Sequence, residues 1–150
     1  MKFLLAAITL ALLAVPARAA DEIPAHQARQ IFDAAPAQPR VQPIQPRRIL
    51  IWNTPAHLME KDPHKGYCIP YGTAALTAIG NKSRAYEPVV RDDLAVYLPE
   101  NLRAFDAIVM NNSSGPWITP TEADLARDDF KKHGSNRLAV EQALRRSLLD

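Results

Sequence analysis

Along the chain the spacing of hydrophobic positions changes character several times, and each change predicts a different kind of segment. Phe3 to Ala17 is an uncharged, mostly apolar run. From Asp21 to Pro46 the apolar residues are scattered among Pro24, Pro36, Pro39, Pro43 and Pro46. Residues that precede proline are pushed toward extended backbone, so Ala34 to Pro46 is predicted to be an extended, poorly packed leader. Before it, AHQARQIFDA over 25–34 allows a short helical turn with only Ile31 and Phe32 to bury. The fold is expected to begin at Arg47.

From that point the pattern becomes regular. Arg48 to Trp52 (RILIW) is a short continuous apolar run rich in β-branched residues, which predicts a strand buried on both faces. After a polar, turn-rich stretch from Asn53 to Tyr67, Ile69 to Ile79 places Ala75, Leu76 and Ile79 at helical spacing, with Gly80-Asn81 as the expected stop. Ala85 to Val90 predicts a second strand, away from the sheet centre because Pro88 has no N–H to donate. Pro99 introduces a short helical turn over Leu98 to Arg103, and Asp106 to Met110 (DAIVM) predicts a third, buried strand. Asn136 to Asp150 carries Val140, Ala143, Leu144, Ser147 and Leu148 on one face, the mark of an amphipathic helix.

Strand, helix, strand, turn, strand, helix is the order of βαβ units, which wind into a parallel sheet flanked by helices. Three strands are fewer than the five or six usual in a sheet, and the last helix runs to Asp150 with its apolar face wanting a partner strand. The expectation is an α/β domain over 47–150 that is incomplete at its C-terminus; the alternative is a minimal three-stranded domain.

The amino terminus alters the charge picture. MKFLLAAITLALLAVPARAA has one Lys, an apolar stretch, Pro16 and a small-x-small site at Ala17-Arg18-Ala19, the layout of a signal peptide covering 1–19. A bilayer span needs about 20 apolar residues, so no membrane span is expected after cleavage, and the destination is the periplasm or the medium. Cleavage removes Lys2 and Arg18 from the 18 basic residues and none of the 16 acidic ones, which takes the formal charge from +2 to zero. A nucleic-acid partner, which needs a basic patch, is therefore not expected. In an oxidising compartment structural cysteines come in pairs; Cys68 is alone.

In open parallel sheets ligands collect at the carboxyl ends of the strands. That rule selects Asn53, Thr54, His57, Glu60, Asp62, His64 and Lys65 after the first strand, and Asn111, Asn112, Ser113, Ser114 and Trp117 after the third. Imidazoles, amides, hydroxyls and an aromatic plane suit a polyhydroxylated small molecule such as a sugar. The His57–His64 cluster has metal-ligand types, but its spacing is not HExxH, and Pro55 and Pro63 oppose an aligning helix, so no metal is expected. No cofactor is expected either, because no glycine-rich phosphate loop or dinucleotide fingerprint occurs. Cys68 near a helix N-terminus, with His64 four residues earlier, allows a thiol nucleophile; it lacks the small residues of a nucleophile elbow, and a free, partly buried thiol is the expectation.

RRILIWN, the helix entry IPYGTAAL, then PENLRAFDAIVMNNSSG, TPTEADL and EQALRRSLLD together resemble the amino-terminal half of the ThuA-like (trehalose utilisation) family over about Arg47 to Asp150. The most specific part is Pro99 to Asn112, with its Asn-Leu turn, the Phe105-Asp106 pair and a hydrophobic strand running into Asn and Ser. His64, ahead of Ile69-Pro70, is similar to the family's histidine before the first helix. The resemblance implies a flavodoxin-like, class I glutamine amidotransferase-like fold without the amidotransferase triad, export, and a part in carbohydrate utilisation. It also implies His64 as an acid/base or hydrogen-bonding group, with Asn53, His57, Asn111, Asn112, Ser113 and Ser114 holding the sugar. In the family the last helix leads to a glycine-rich turn and a strand with a further histidine, in keeping with an incomplete domain here. Two alternatives stand beside this expectation: a non-catalytic sugar-binding or interaction module, and a thiol-dependent hydrolase using Cys68.

Overall fold

A computed structural model describes residues 23–55, 58, 67–111, 113 and 115–150. Its centre is β1 (Arg48–Asn53), whose middle residues Leu50, Ile51 and Trp52 are fully buried whichever face they point to. That is the burial expected of an apolar run in a parallel sheet. β1 pairs in parallel with β2 (Glu87–Arg91) on one side and β3 (Ala107–Asn111) on the other, giving the order β2-β1-β3. The arrangement is α/β, as the element order predicts, and flavodoxin-like.

Successive strand residues point to opposite faces. Leu50 and Trp52 enter a core with the 3₁₀ turn Leu94–Tyr97, with Leu98 and Leu102, and with Ile118, Phe130, Val140 and Leu144. Leu98 leads into the short helix α3 (Pro99–Leu102). Val140 and Leu144 come from the helix α6 (Arg137–Ser147), whose Asn136 side chain caps the Ala139 N–H at 3.0 Å. Its buried face is the one the sequence predicts. Between β3 and α6 run α4 (Glu122–Ala126), started by a reciprocal Thr121–Asp124 capping box, and α5 (Asp128–Lys131).

The other sheet face, that of Ile49, Ile51 and Asn53, carries α2 (Ile69–Ser83). Pro70 sits in its first turn, where a missing N–H costs nothing. The helix does not stop at Gly80 but continues to Ser83 and ends at Arg84 in the left-handed region, φ 58°, with the Arg84 N–H on Gly80 O at 2.8 Å. Gly80 serves packing instead: a Cβ there would lie 2.7 Å from the Tyr86 ring and 2.9 Å from Pro88. The Tyr86 hydroxyl, its pKa raised by burial, donates to Leu76 O at 2.7 Å and fixes that approach.

Two further expectations need correction. The helical turn expected over 25–34 forms as α1 (Ala25–Ala34), but it docks on α2, so the fold begins before Arg47. Tyr71 donates to Gln27 Oε1 at 2.7 Å, and the Lys82 ammonium reaches the Phe32 and Asp33 carbonyls at 2.9 Å while lying over the Phe32 ring. The attachment is largely polar and so left no apolar stripe to read. β3, read as a buried strand, exposes Ala107 and leaves Met110 39 % exposed, because among the described residues it forms an edge of the sheet.

Asp106 pins the amino-terminal end of the sheet. Its N–H donates to Arg48 O at 2.8 Å, its carboxylate accepts the Arg48 N–H at 2.7 Å and Arg47 at 2.8 Å, and Arg48 covers the Phe105 ring. These contacts hold the Asp106 pKa below the ordinary carboxylate value, the Arg48 N–H contributing most. The Phe105-Asp106 pair therefore sets the β1–β3 register from the end opposite the candidate site.

Candidate functional site

The carboxyl ends of β1 and β3 meet at register partners Asn53 and Asn111. Both side chains lie on the α2 face. Asn111 Nδ2 donates to Asn53 Oδ1 at 2.8 Å and lies 3.0 Å from both Ile69 O and Thr73 Oγ1. Thr73 Oγ1 in turn is 3.1 Å from Asn53 Oδ1 and 2.8 Å from Ile69 O. One amide thus ties two strands to the first turn of the helix. Asn111 is 8 % exposed, and the contact is close enough that a Cβ on Gly72 would stand 2.3 Å from Asn111 Oδ1. Only glycine at 72 admits this arrangement.

On the opposite face an aromatic group extends toward the same end. Trp52 meets Tyr97 edge-on with centroids 4.8 Å apart, and the half-buried Trp117 lies 5.3 Å from Tyr97 and 6.4 Å from Trp52. Tyr97 is wholly buried, which raises its pKa, and its hydroxyl donates to Met110 Sδ at 3.3 Å. Three buried polar atoms at this end, Trp52 Nε1, Thr54 Oγ1 and Ser113 Oγ, have no hydrogen-bond partner among the described residues. A buried hydroxyl without a partner costs about 1–3 kcal/mol.

The structure brings Asn53, Thr54, Asn111, Ser113 and Trp117 to one end of the sheet. His57, Glu60, Asp62, His64, Lys65, Asn112 and Ser114 lie outside the described residues. Cys68 is exposed, not partly buried as expected, because it occupies the N-cap of α2 at the surface and its side chain makes no capping bond. Among the described residues no three His, Cys, Asp or Glu side chains gather as a metal set, and no helix is long and apolar enough to cross a membrane. Sequence reasoning passed over Thr73 and Gly72, whose part depends on the approach of Asn111; the glycine in the first turn of a helix was the available signal.

A surface depression of about 280 Å³ lies at the other, amino-terminal end of β1 and β2, bordered by Pro46, Arg47, Arg84 and Glu87. Of its charges, Arg47 is paired with Asp106 and Glu87 with Arg48 at 3.2 Å. The strand-end groups Asn53, Thr54, Asn111, Ser113 and Trp117 are all uncharged, and Trp117 is half-buried. No family model, curated protein or solved structure matches the chain.

Proposed function

We propose that this chain is an exported ThuA-like protein that binds or processes a sugar at the carboxyl ends of β1 and β3. The observation that supports the reading is the presence at this end of the sheet of the amides Asn53 and Asn111 on the α2 face and of the half-buried Trp117 on the other face, uncharged groups all three. Sugars are held by such sets: hydroxyls pair with neutral donors and acceptors, and an apolar ring face stacks on an indole. Asn53 and Asn111 act as the frame of the site, since Asn111 Nδ2 and Asn53 Oδ1 already bond to one another and to α2. His64 is the proposed acid/base group, and His57, Asn112 and Ser114 complete the ligand set.

Calorimetric titration of the chain with trehalose and with oxidised disaccharides tests the reading. Saturable binding that weakens at least tenfold in Trp117→Ala supports it; no heat with any saccharide removes it. Cys68→Ala, with binding and turnover unchanged, separates it from thiol chemistry. His64→Ala distinguishes an enzyme, which loses turnover by orders of magnitude, from a binding module, which loses only modest affinity.

A further inference from the structure

Met110 stands where the buried aromatic group meets solvent. It is the register partner of Trp52, so the two side chains leave the sheet on the same face, and it is 39 % exposed along the edge strand β3. Its Sδ accepts from the Tyr97 hydroxyl at 3.3 Å, and among the described residues that phenol has no other acceptor. Burial raises the Tyr97 pKa, so the donor keeps its proton. A thioether is a weak acceptor. Acceptors are scarce throughout this group, since Nε1 of Trp52, whose ring meets Tyr97 edge-on, has no partner among the described residues either.

We propose that Met110 is an oxidation site whose product the fold receives: peroxide converts the thioether to the sulfoxide, and the sulfoxide oxygen takes over the Tyr97 hydroxyl. A sulfur lone pair attacks one peroxide oxygen, the O–O bond breaks as the S–O bond forms, and the second oxygen departs as water with both peroxide hydrogens. Sulfur is oxidised by two electrons and hydrogen peroxide is reduced. The new oxygen carries the negative end of the S–O dipole and accepts far more strongly than sulfur, so a contact that the thioether fills weakly becomes a full hydrogen bond. Oxidation turns a flexible apolar side chain into a polar one and disrupts a closed core. At a sheet edge the reagent has access and the added oxygen has room, while Tyr97 supplies its partner. Met110 directly precedes Asn111, and Tyr97 lies 5.3 Å from Trp117, so the oxidation state of Met110 is felt at the strand ends.

The test treats the full chain and Met110→Leu, which keeps the volume without the sulfur, with hydrogen peroxide, and locates added oxygen by peptide mass spectrometry. Met110 is expected to gain one oxygen under conditions that oxidise added free methionine. The tyrosine absorption band should then move to longer wavelength in the parent and not in Met110→Leu, whose remaining oxidisable groups, the exposed Cys68 among them, supply the background. In Tyr97→Phe the sulfoxide oxygen has lost its donor, so oxidation should lower the melting temperature by about 4 °C more than it does in the parent. Met110 left intact while free methionine in the same solution is consumed overturns the proposal. A tyrosine band that stays in place or moves to shorter wavelength overturns it as well, as does a folded Tyr97→Phe that loses no more on oxidation than the parent. If Tyr97→Phe does not fold, the absorption band decides by itself.

Discussion

Asn111 Nδ2 lies 2.8 Å from Asn53 Oδ1, joining residues 58 positions apart at the carboxyl ends of adjacent parallel strands. The pair does more than close the ladder, because Asn111 also reaches Ile69 O and Thr73 at the start of α2. An amide is the one short side chain that fits: its NH₂ supplies the donors that these oxygens need. Asn111→Ala should cost about 2–3 kcal/mol, since it strands buried acceptors. Asn111→Asp keeps the size but turns the donor into an acceptor. It should be more destabilising at pH 7 than at pH 4, where the protonated acid regains one donor. Urea unfolding of the three proteins at the two pH values measures both effects.

Gly72 gives way to the same amide. A methyl at 72 would meet Asn111 Oδ1 at 2.3 Å, and that oxygen belongs to a side chain held by its own hydrogen bonds. Gly72→Ala is expected to destabilise by about 1–3 kcal/mol despite the better helix propensity of alanine. In an Asn111→Ala background the clash is gone, and the same change should become neutral or stabilising by up to about 1 kcal/mol. A double-mutant cycle reads the coupling directly. Additive losses would mean that Gly72 answers to something other than Asn111.

Arg84 ends α2 in a conformation that L-residues occupy at a cost, φ 58°. Glycine removes that cost of about 1–2 kcal/mol and returns part of it as backbone entropy. Arg84→Gly should therefore raise stability by about 0.5–1 kcal/mol, seen as a melting temperature a few degrees higher.

Several carboxylates have pKa values held below their ordinary range: Asp106 by the Arg48 N–H and Arg47, Asp129 by Arg127, Glu141 by Arg145 and Thr119, and Glu100 by a backbone N–H and His133. A depressed folded pKa means that the unfolded chain binds more protons as acid is added. The stability these groups contribute is present above the ordinary carboxylate pKa near 4 and is lost as pH falls through the lower folded values. Each is partly exposed, so solvent screening keeps the individual effects small. Denaturation midpoints followed from pH 6 down to acid should fall in that window. Asp106→Asn should lower stability at pH 6 and flatten the acid slope; an unaltered slope would place the acid sensitivity elsewhere.

What the sequence revealed and what it concealed follow from the range of each interaction. Leu50, Ile51 and Trp52 announce a strand buried on both faces, and Val140, Ala143 and Leu144 announce the buried face of α6, because burial acts on local periodicity. Pro88 at the sheet edge was legible for the same local reason. The docking of α1 was not, since Gln27, Tyr71 and Lys82 hold it through polar contacts across many residues. Gly80 looked like a helix stop and proved to be room for Tyr86, a neighbour that only the folded turn supplies. Asn53 and Asn111 stand at the strand ends where the sequence places them, but the hydrogen bond between them depends on strand register, which no single segment encodes. Thr54 was in the chosen loop; its lack of a partner became visible only in three dimensions.

The chain contains two tryptophans, Trp52 and Trp117, and both stand in the aromatic group beside the strand ends. A sugar bound there must alter indole emission, so fluorescence titration with trehalose and oxidised disaccharides addresses the central claim most directly. The account predicts a saturable change that is largely lost in Trp117→Phe, with Trp52, wholly buried, left as a nearly unresponsive reporter. Emission that stays constant across the saccharide series, or a change that is undiminished in Trp117→Phe, would contradict it.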